Sequence, residues 1–166
     1  MTEPAVDQRL FRDVMGTFAT GVTVITLNVD DIPRGMTANA VVSLSLDPPL
    51  VIVGVQESGS MHEFFERAEG FGVNILASDQ RAISDLFASH GEPDEPMGGF
   101  AYSAGATGVP LLDGALAHVE CHITERLPGG DHTIVIGQAV EVGFGAEDAA
   151  PLLFYRGGYG QLKDNA

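Results

Sequence analysis

The chain has one cysteine, no tryptophan and only eight basic residues in 166. Each shortage removes a class of protein. A single thiol, Cys121, excludes an internal disulfide. The eight Lys and Arg stand against 23 Asp and Glu, a net charge of −15. That balance argues against nucleic acid or an anionic membrane as partner, because both need clustered basic side chains. The basic residues (Arg9, Arg12, Arg34, Arg67, Arg81, Arg126, Arg156 and Lys163) are scattered and form no stripe. An anionic ligand would gain no long-range steering here and would have to be held by backbone N–H groups, hydroxyls and one or two Arg. Apolar runs such as 49–55 are too short to span a bilayer. The opening MTEPAVDQRLF has no basic stretch followed by an apolar one, so no signal peptide is expected and the expected location is the cytoplasm. None of the 21 glycines forms G-x-G-x-x-G or G-x-x-x-x-G-K-[ST], so neither a Rossmann domain nor a P-loop is supported.

What is present suits one domain over residues 1–166 with a real core, since 45% of residues are hydrophobic. Val6, Leu10, Phe11, Val14 and Phe18 recur at helical spacing and predict a first helix, ended by Gly21. VTVITL (22–27) is rich in β-branched residues and reads as a strand. Asp30 to Pro33 reads as a turn, 41–46 as a strand, and Asp47-Pro48-Pro49 as its stop. LVIVGV (50–55) is apolar on both faces, which predicts a central strand. Ser60 and Glu63 have capping-box spacing ahead of a short helix through Phe64, Phe65 and Ala68 that stops at Gly70. Further expectations are a strand at 71–76 and a helix at 79–89 with Ile83, Leu86 and Phe87 inward. A long loop over 91–108 and strands at 115–125, 132–142 and 152–155 complete the reading. About seven strands with few helices, not alternating with them, predict a mainly β, largely antiparallel barrel with peripheral helices.

Four short patterns could carry chemistry. His118, Glu120 and His122 alternate with Val119 and Cys121, so on a strand they share one face. Such a face could ligate a metal, but no second ligand cluster completes a site, and an ordinary polar face is the expectation. Cys121 then points to the core, where a thiol is inert. Gly35-Met36-Thr37-Ala38-Asn39 offers small and hydroxyl residues that let backbone amides approach an anion or a flat ring. Ser58-Gly59-Ser60 precedes a helix and could hold a phosphate. Asp131-His132 follows the turn Pro128-Gly-Gly130 and opens a strand, where a His can position a ring or supply a proton.

Taken in order, these pieces resemble the flavin reductase family that serves two-component flavin monooxygenases, whose members share the FMN-binding split-barrel fold. The resemblance is carried by FATGVTVIT (18–26), GMTANAVVSLSLDPPLV (35–51), FGVNIL (71–76), QRAISDLFA (80–88), GDHTIVIG (130–137) and PLLFYRGGY (151–159). It implies transfer of hydride from NADH or NADPH to FMN or FAD, with reduced flavin supplied to a monooxygenase component. It also implies a homodimer with flavin near the subunit interface, and no metal. By position, Met36, Thr37, Ala38 and Asn39 would contact the flavin, and Ser43, Leu44 and Ser45 would line the isoalloxazine. Ser58 and Ser60 would hold the phosphate, Phe87 would pack near the cofactor, and His132 would sit where the nicotinamide enters. The chain departs from the family pattern at Ala40, where Ser is frequent, and in the segment after LVIVGV, which lacks a basic residue that some relatives carry. A flavin-binding protein without turnover would share much of this cradle, as would a pyridoxamine-phosphate oxidase on the same fold. GDHTI and SLDPP favour the reductase over the latter. Use of NADPH would need an Arg near its 2′-phosphate, for which Arg34, Arg81 and Arg156 are candidates.

Overall fold

The computed structural model describes residues 6–89, 91 and 93–163. In chain order the elements are helix α1 (Gln8–Met15), strands β1 (Thr20–Gly21), β2 (Thr23–Val29), β3 (Ile32–Ala38), β4 (Val41–Leu46) and β5 (Pro49–Gln56), helix α2 (His62–Arg67), strand β6 (Gly70–Ile75) and helix α3 (Arg81–Ala88). A 3₁₀ turn (Pro96–Gly99) leads to strands β7 (Tyr102–Ala104), β8 (Pro110–Leu112), β9 (Ala117–Gly129), β10 (His132–Phe144), β11 (Leu153–Tyr155) and β12 (Gly158–Gly160).

Seven strands form one antiparallel sheet in the order β3-β2-β6-β9-β10-β5-β4. Its two edge strands, β3 and β4, are consecutive in the chain and joined only by Asn39 and Ala40. Laid flat, six strand spacings would separate these edges by about 29 Å. The connection can reach only about 11 Å. The sheet therefore has to curl until its edges nearly meet, which makes a barrel with a split along one side. The mainly β, antiparallel barrel expected from the sequence is the fold found.

One core cluster fills the barrel: Ile25, Leu27, Val53, Val55, Phe65, Phe71, Val73, Cys121 and Val135. Burial pushes the Cys121 thiol up to about 12, so it stays protonated. Gly137 admits the Phe71 ring, which a Cβ there would meet at 2.5 Å. A second cluster, with Val22, Leu76, Ile83, Phe87, Met97 and Leu112, glues α3 to the outside of the barrel. Asn74 is the polar pin between them. Fully buried, its amide donates to the Val24 carbonyl (3.0 Å) and the Thr26 hydroxyl (3.1 Å), while its carbonyl accepts from Leu112 N–H (2.7 Å). Arg126 ties α2 down by donating to the carbonyls of Phe65 (3.0 Å) and Ala68 (2.6 Å).

Several local expectations change. The first helix stops at Met15 because Gly16 closes it with its own N–H on Arg12, and Thr20–Gly21 is already a strand paired with β11. Asp7 caps it through Leu10 N–H at 2.7 Å. Ser60 does not cap α2: Met61 is the N-cap, without a side-chain bond, because tight turns onto Gly59 and Met61 carbonyls already use the first N–H groups. Residues 32–38, read as a turn and loop, are strand β3; Asp30 and Asp31 alone make the hairpin turn, both at positive φ (56° and 60°). Pro33 is tolerated because β3 is an edge strand. β5 is next to an edge rather than central. The 91–108 segment contains β7 and the 3₁₀ turn, and Pro128 and Gly129 belong to β9, so that the turn before β10 is Gly130-Asp131. No helix among the described residues is long and apolar enough to cross a membrane.

Asn74→Leu keeps the branched shape but adds volume to a closed site and leaves the Leu112 N–H without its acceptor. It should destabilise the fold by about 2–4 kcal/mol, the unmet buried N–H costing about 1–3 kcal/mol and the overpacking about 1–3 kcal/mol, as read by chemical denaturation. A loss under 1 kcal/mol would show that Asn74 is not the pin described.

Candidate functional site

The split in the barrel opens into a cleft of about 480 Å³, within the range of small-molecule sites. Every residue from Ile32 to Ala40 lines it. A strand's face presents alternate residues, so an unbroken run means that β3 offers its edge. Its ladder is made on one side only, with β2, and the other row of backbone N–H and C=O groups is left for a ligand. Opposite stand Gly54, Val55 and Gln56 of β5, then Gly59 to Met61 ahead of α2, and His132 at the start of β10. The end of α3 and residues 93–97 form the third wall.

Each wall is held by a nameable contact. Thr37 donates to the Ser84 carbonyl (2.7 Å), fastening β3 to α3, and Ser84 in turn shares a hydrogen bond with the Tyr159 hydroxyl (2.8 Å). Phe87 packs so closely on Gly35 that a Cβ would meet its ring at 2.9 Å. Met97, at positive φ (53°) and buried, anchors the third wall in the second core cluster. Gly54 leaves a flat floor: a Cβ there would stand 3.2 Å from the Ala40 methyl and 3.9 Å from the His132 ring. His132 Nδ1 lies 2.7 Å from the Asp131 carboxylate, with its side chain 41% exposed. The hydrogen bond and charge of His132 hold the Asp131 carboxyl below its usual range.

Of the residues singled out in the sequence, Met36, Thr37, Ala38, Asn39, Ser60, Phe87 and His132 come together around this cleft. Ser43, Leu44 and Ser45 do not. They lie on β4, at the other edge of the sheet, with Ser43 and Leu44 exposed. Ser58 sits in the exposed turn before α2 and is not part of the lining. The sequence reading passed over Gly54, Gln56, residues 93–97 and, as a lining residue, Arg34. Arg34 precedes GMTAN directly, so recognising β3 as a strand would have included it.

The flavin reductase-like domain model matches residues 15–163. The chain belongs to the flavin reductase-like domain family. It is 40% identical to an NADH-dependent FMN reductase, AsuE2, of Streptomyces nodosus subsp. asukaensis, over 98% of this chain and 88% of that protein. It is also 40% identical to the reductase component of 4-hydroxyphenylacetate 3-monooxygenase of Thermus thermophilus, over 92% of this chain and 95% of that one. Among solved structures, the NADH:FAD oxidoreductase SgcE6 of Streptomyces globisporus, in complex with NAD and FAD fragments, superposes with a TM-score of 0.89. That pair shares 35% identity, and the match covers 99% of each chain.

The His118, Glu120 and His122 group has another use. Glu120 is buried, and its carboxylate accepts from Ala106 N–H (3.1 Å), Thr107 N–H (2.8 Å) and the Thr107 hydroxyl (2.6 Å), closing the β7–β8 turn. His118 Nε2 pairs with the Leu112 carbonyl at 2.9 Å, and His122 is exposed. Among the described residues no cluster of three or more His, Cys, Asp or Glu is arranged to hold a metal ion. Burial alone would raise the Glu120 carboxyl. The hydrogen bonds from Thr107 and Ala106, helped by His118, more than offset this and hold it below its ordinary 4.5. A lowered carboxyl stabilises the fold above its unfolded value, and the contribution is lost as pH falls through the folded one. Glu120→Gln should therefore cost about 1–3 kcal/mol at pH 7. In thermal melts against pH, the gap between variant and parent should close below about pH 4.5. A gap that stays constant to pH 3 would refute the assignment.

Proposed function

We propose that this protein is an NADH-dependent flavin reductase that takes FMN or FAD in the cleft beside β3 and supplies reduced flavin to a monooxygenase. The observation that carries the reading is the cleft itself: an open edge strand bearing GMTAN faces a glycine floor and His132, in a chain 40% identical to an NADH-dependent FMN reductase over nearly its whole length. The residues present fit a flavin. An isoalloxazine carries N–H and C=O groups along its rim, which the unpaired backbone of β3 can match, and its flat face suits the floor at Gly54. When bound, the flavin supplies the hydride acceptor.

The chain's own contribution is then geometric. β3 fixes the ring's position, Phe87 and Met97 keep the third wall dry, and Thr37 holds β3 to α3 so that the wall and the edge do not drift apart. Such positioning can contribute several kcal/mol to a reaction between two bound partners without any nucleophile. His132, oriented by Asp131 beside the floor, positions the nicotinamide. The half-open cleft lets reduced flavin leave, and use of NADH, a cytoplasmic co-substrate, supports a cytoplasmic location.

The working unit in this reading is a homodimer. Leu10, Phe11, Val14 and Met15 on α1 are all more than half exposed, and Phe18 (72%), Leu46 (89%) and Phe144 (79%) are more exposed still. Val42 and Leu44 add to this on β4, and Val140 and Val142 on β10. A water-soluble monomer rarely carries so much apolar surface, whereas a second copy would cover it. Ser43, Leu44 and Ser45 lie on the same exposed strand, so a flavin near the interface would reach them there.

The direct test is oxidation of NADH followed by its absorbance, with FMN, FAD or riboflavin added to purified protein. Turnover that depends on free flavin and survives EDTA is expected; flavin binding without turnover would favour a store or sensor. His132→Ala should raise KM for NADH or lower kcat several-fold, as loss of about 1 kcal/mol implies, with flavin affinity little changed. Unchanged steady-state constants would remove His132 from the mechanism. Light scattering should give twice the chain mass, and Leu46→Glu should shift it toward one. A fully active monomer would count against the dimer.

A further inference from the structure

A polar side chain of the cleft to which the flavin reading gives no task is Gln56. It is the last residue of β5, and it stands directly across the ladder from His132, the first residue of β10. Residues paired in this way project from the same face of a sheet. Along β5 the faces are marked by burial. Val53 and Val55 turn into the barrel core, so Gly54 and Gln56 turn outward, to the cleft. The glycine floor therefore ends in two side chains, Gln56 and His132, standing side by side.

The backbone is pinned at this point. Glu57 N–H donates to the Asp131 carbonyl (3.0 Å), one step beyond the Gln56–His132 pair, and Gly59 N–H donates to the Gln56 carbonyl (3.0 Å). The Gln56 side chain thus leaves a fixed base, and its amide has no hydrogen bond among the described residues. His132 differs: its Nδ1 is committed to Asp131 at 2.7 Å. One ring nitrogen is left, which offers a single donor or a single acceptor.

One group of NADH matches this arrangement. The reacting nicotinamide ring bears a primary carboxamide, with a C=O acceptor and N–H donors. A Gln side chain carries the same two functions, so two such amides can meet head to tail through two N–H···O bonds. A His with one nitrogen to spare cannot supply both. The hydrogen-bonding rim of the flavin, for its part, is matched by the edge of β3, and β5 stands across the cleft from that edge.

We infer that Gln56 binds the carboxamide of the nicotinamide and makes the protein select NADH over dinucleotides whose ring lacks the amide. The inference rests on the flavin reading of the cleft and adds a specificity-determining residue beside His132. A bonded substituent fixes how the nicotinamide ring turns in its own plane. That turn decides where the hydride-bearing carbon sits, so the contact serves positioning as well as affinity.

The test compares NAD+ with 3-acetylpyridine adenine dinucleotide, in which a methyl replaces the amide NH2. Neither reacts with oxidised FMN, so the dissociation constants for the FMN-loaded protein can be read from the perturbation of flavin absorbance. The parent should prefer NAD+. Gln56→Leu should weaken NAD+ about five- to tenfold, as loss of one or two neutral hydrogen bonds implies, and should bind the two dinucleotides alike. KM for NADH should rise by a similar factor. FMN affinity, read by fluorescence quenching without dinucleotide, should change by no more than about two-fold and shows that the cleft is folded. Equal weakening of both dinucleotides would mean that Gln56 only shapes the cleft. Weaker FMN with NAD+ unchanged would assign it to the flavin. A parent without preference for NAD+, or a variant that keeps the preference, would remove it from recognition of the amide. Each of these overturns the inference and leaves the flavin reading intact. A parent that binds no FMN and oxidises no NADH would sink the flavin reading, and the role of Gln56 with it.

Discussion

The short link between β3 and β4 is the constraint on which the rest depends. Two residues, Asn39 and Ala40, join strands at opposite edges of a seven-stranded sheet. No flat sheet can meet that demand, so the sheet rolls. The edges approach without completing a ladder between them; the bond from Gly54 N–H to the Ala40 carbonyl at 2.9 Å only extends the β4–β5 ladder by one residue. The cleft is what remains between the edges. Fold and site are thus one consequence: the hydrogen bonds that β3 does not make with a neighbouring strand are the ones it can offer to a ligand.

This origin explains the character of the site. A cavity made by an unfinished sheet is lined by backbone and small side chains rather than by a cluster of acids and bases. The glycines at 35 and 54 are at close approaches, one under Phe87 and one beside Ala40 and His132. Hydride transfer between two flat rings suits such a place, since the reactive atoms belong to the ligands and the protein has to bring them together.

The barrel was legible in the sequence because most of its strands bury one or both faces. VTVITL, LVIVGV and FGVNIL announce themselves by β-branched and aromatic content, and all three are strands of the main sheet. The first helix was legible in type but not in length, because its apolar stripe runs on past Gly16 into residues that serve other purposes, and none of α1 is buried in the single chain. That stripe is exposed in the single chain, so burial inside the chain could not correct its boundary. The apolar outer side of β5 misled in the same way: Leu50 and Ile52 suggested a central strand, yet β5 lies one place from the edge and keeps that side half-buried. The capping box at Ser60 had the right spacing and no vacancy, since turn hydrogen bonds already occupied the N–H groups.

β3 is the instructive miss. Ile32-Pro-Arg-Gly-Met-Thr-Ala38 contains a proline, a glycine and a charge, and by composition it is a loop. It is a strand because β2 pairs with it over its whole length and because only one of its edges has to be paired. The features that hid it are the ones a ligand-facing edge needs. Pro33 gives up an N–H, Gly35 lets Phe87 close in, and Thr37 spends its hydroxyl on α3. A regular Val- and Ile-rich strand in that place would have been read correctly from sequence, and it would also have presented an open, sticky edge prone to pairing with another chain. Poor strand propensity at β3 thus suits a strand that must stay half-paired, and the functional motif was easier to recognise than the secondary structure that carries it.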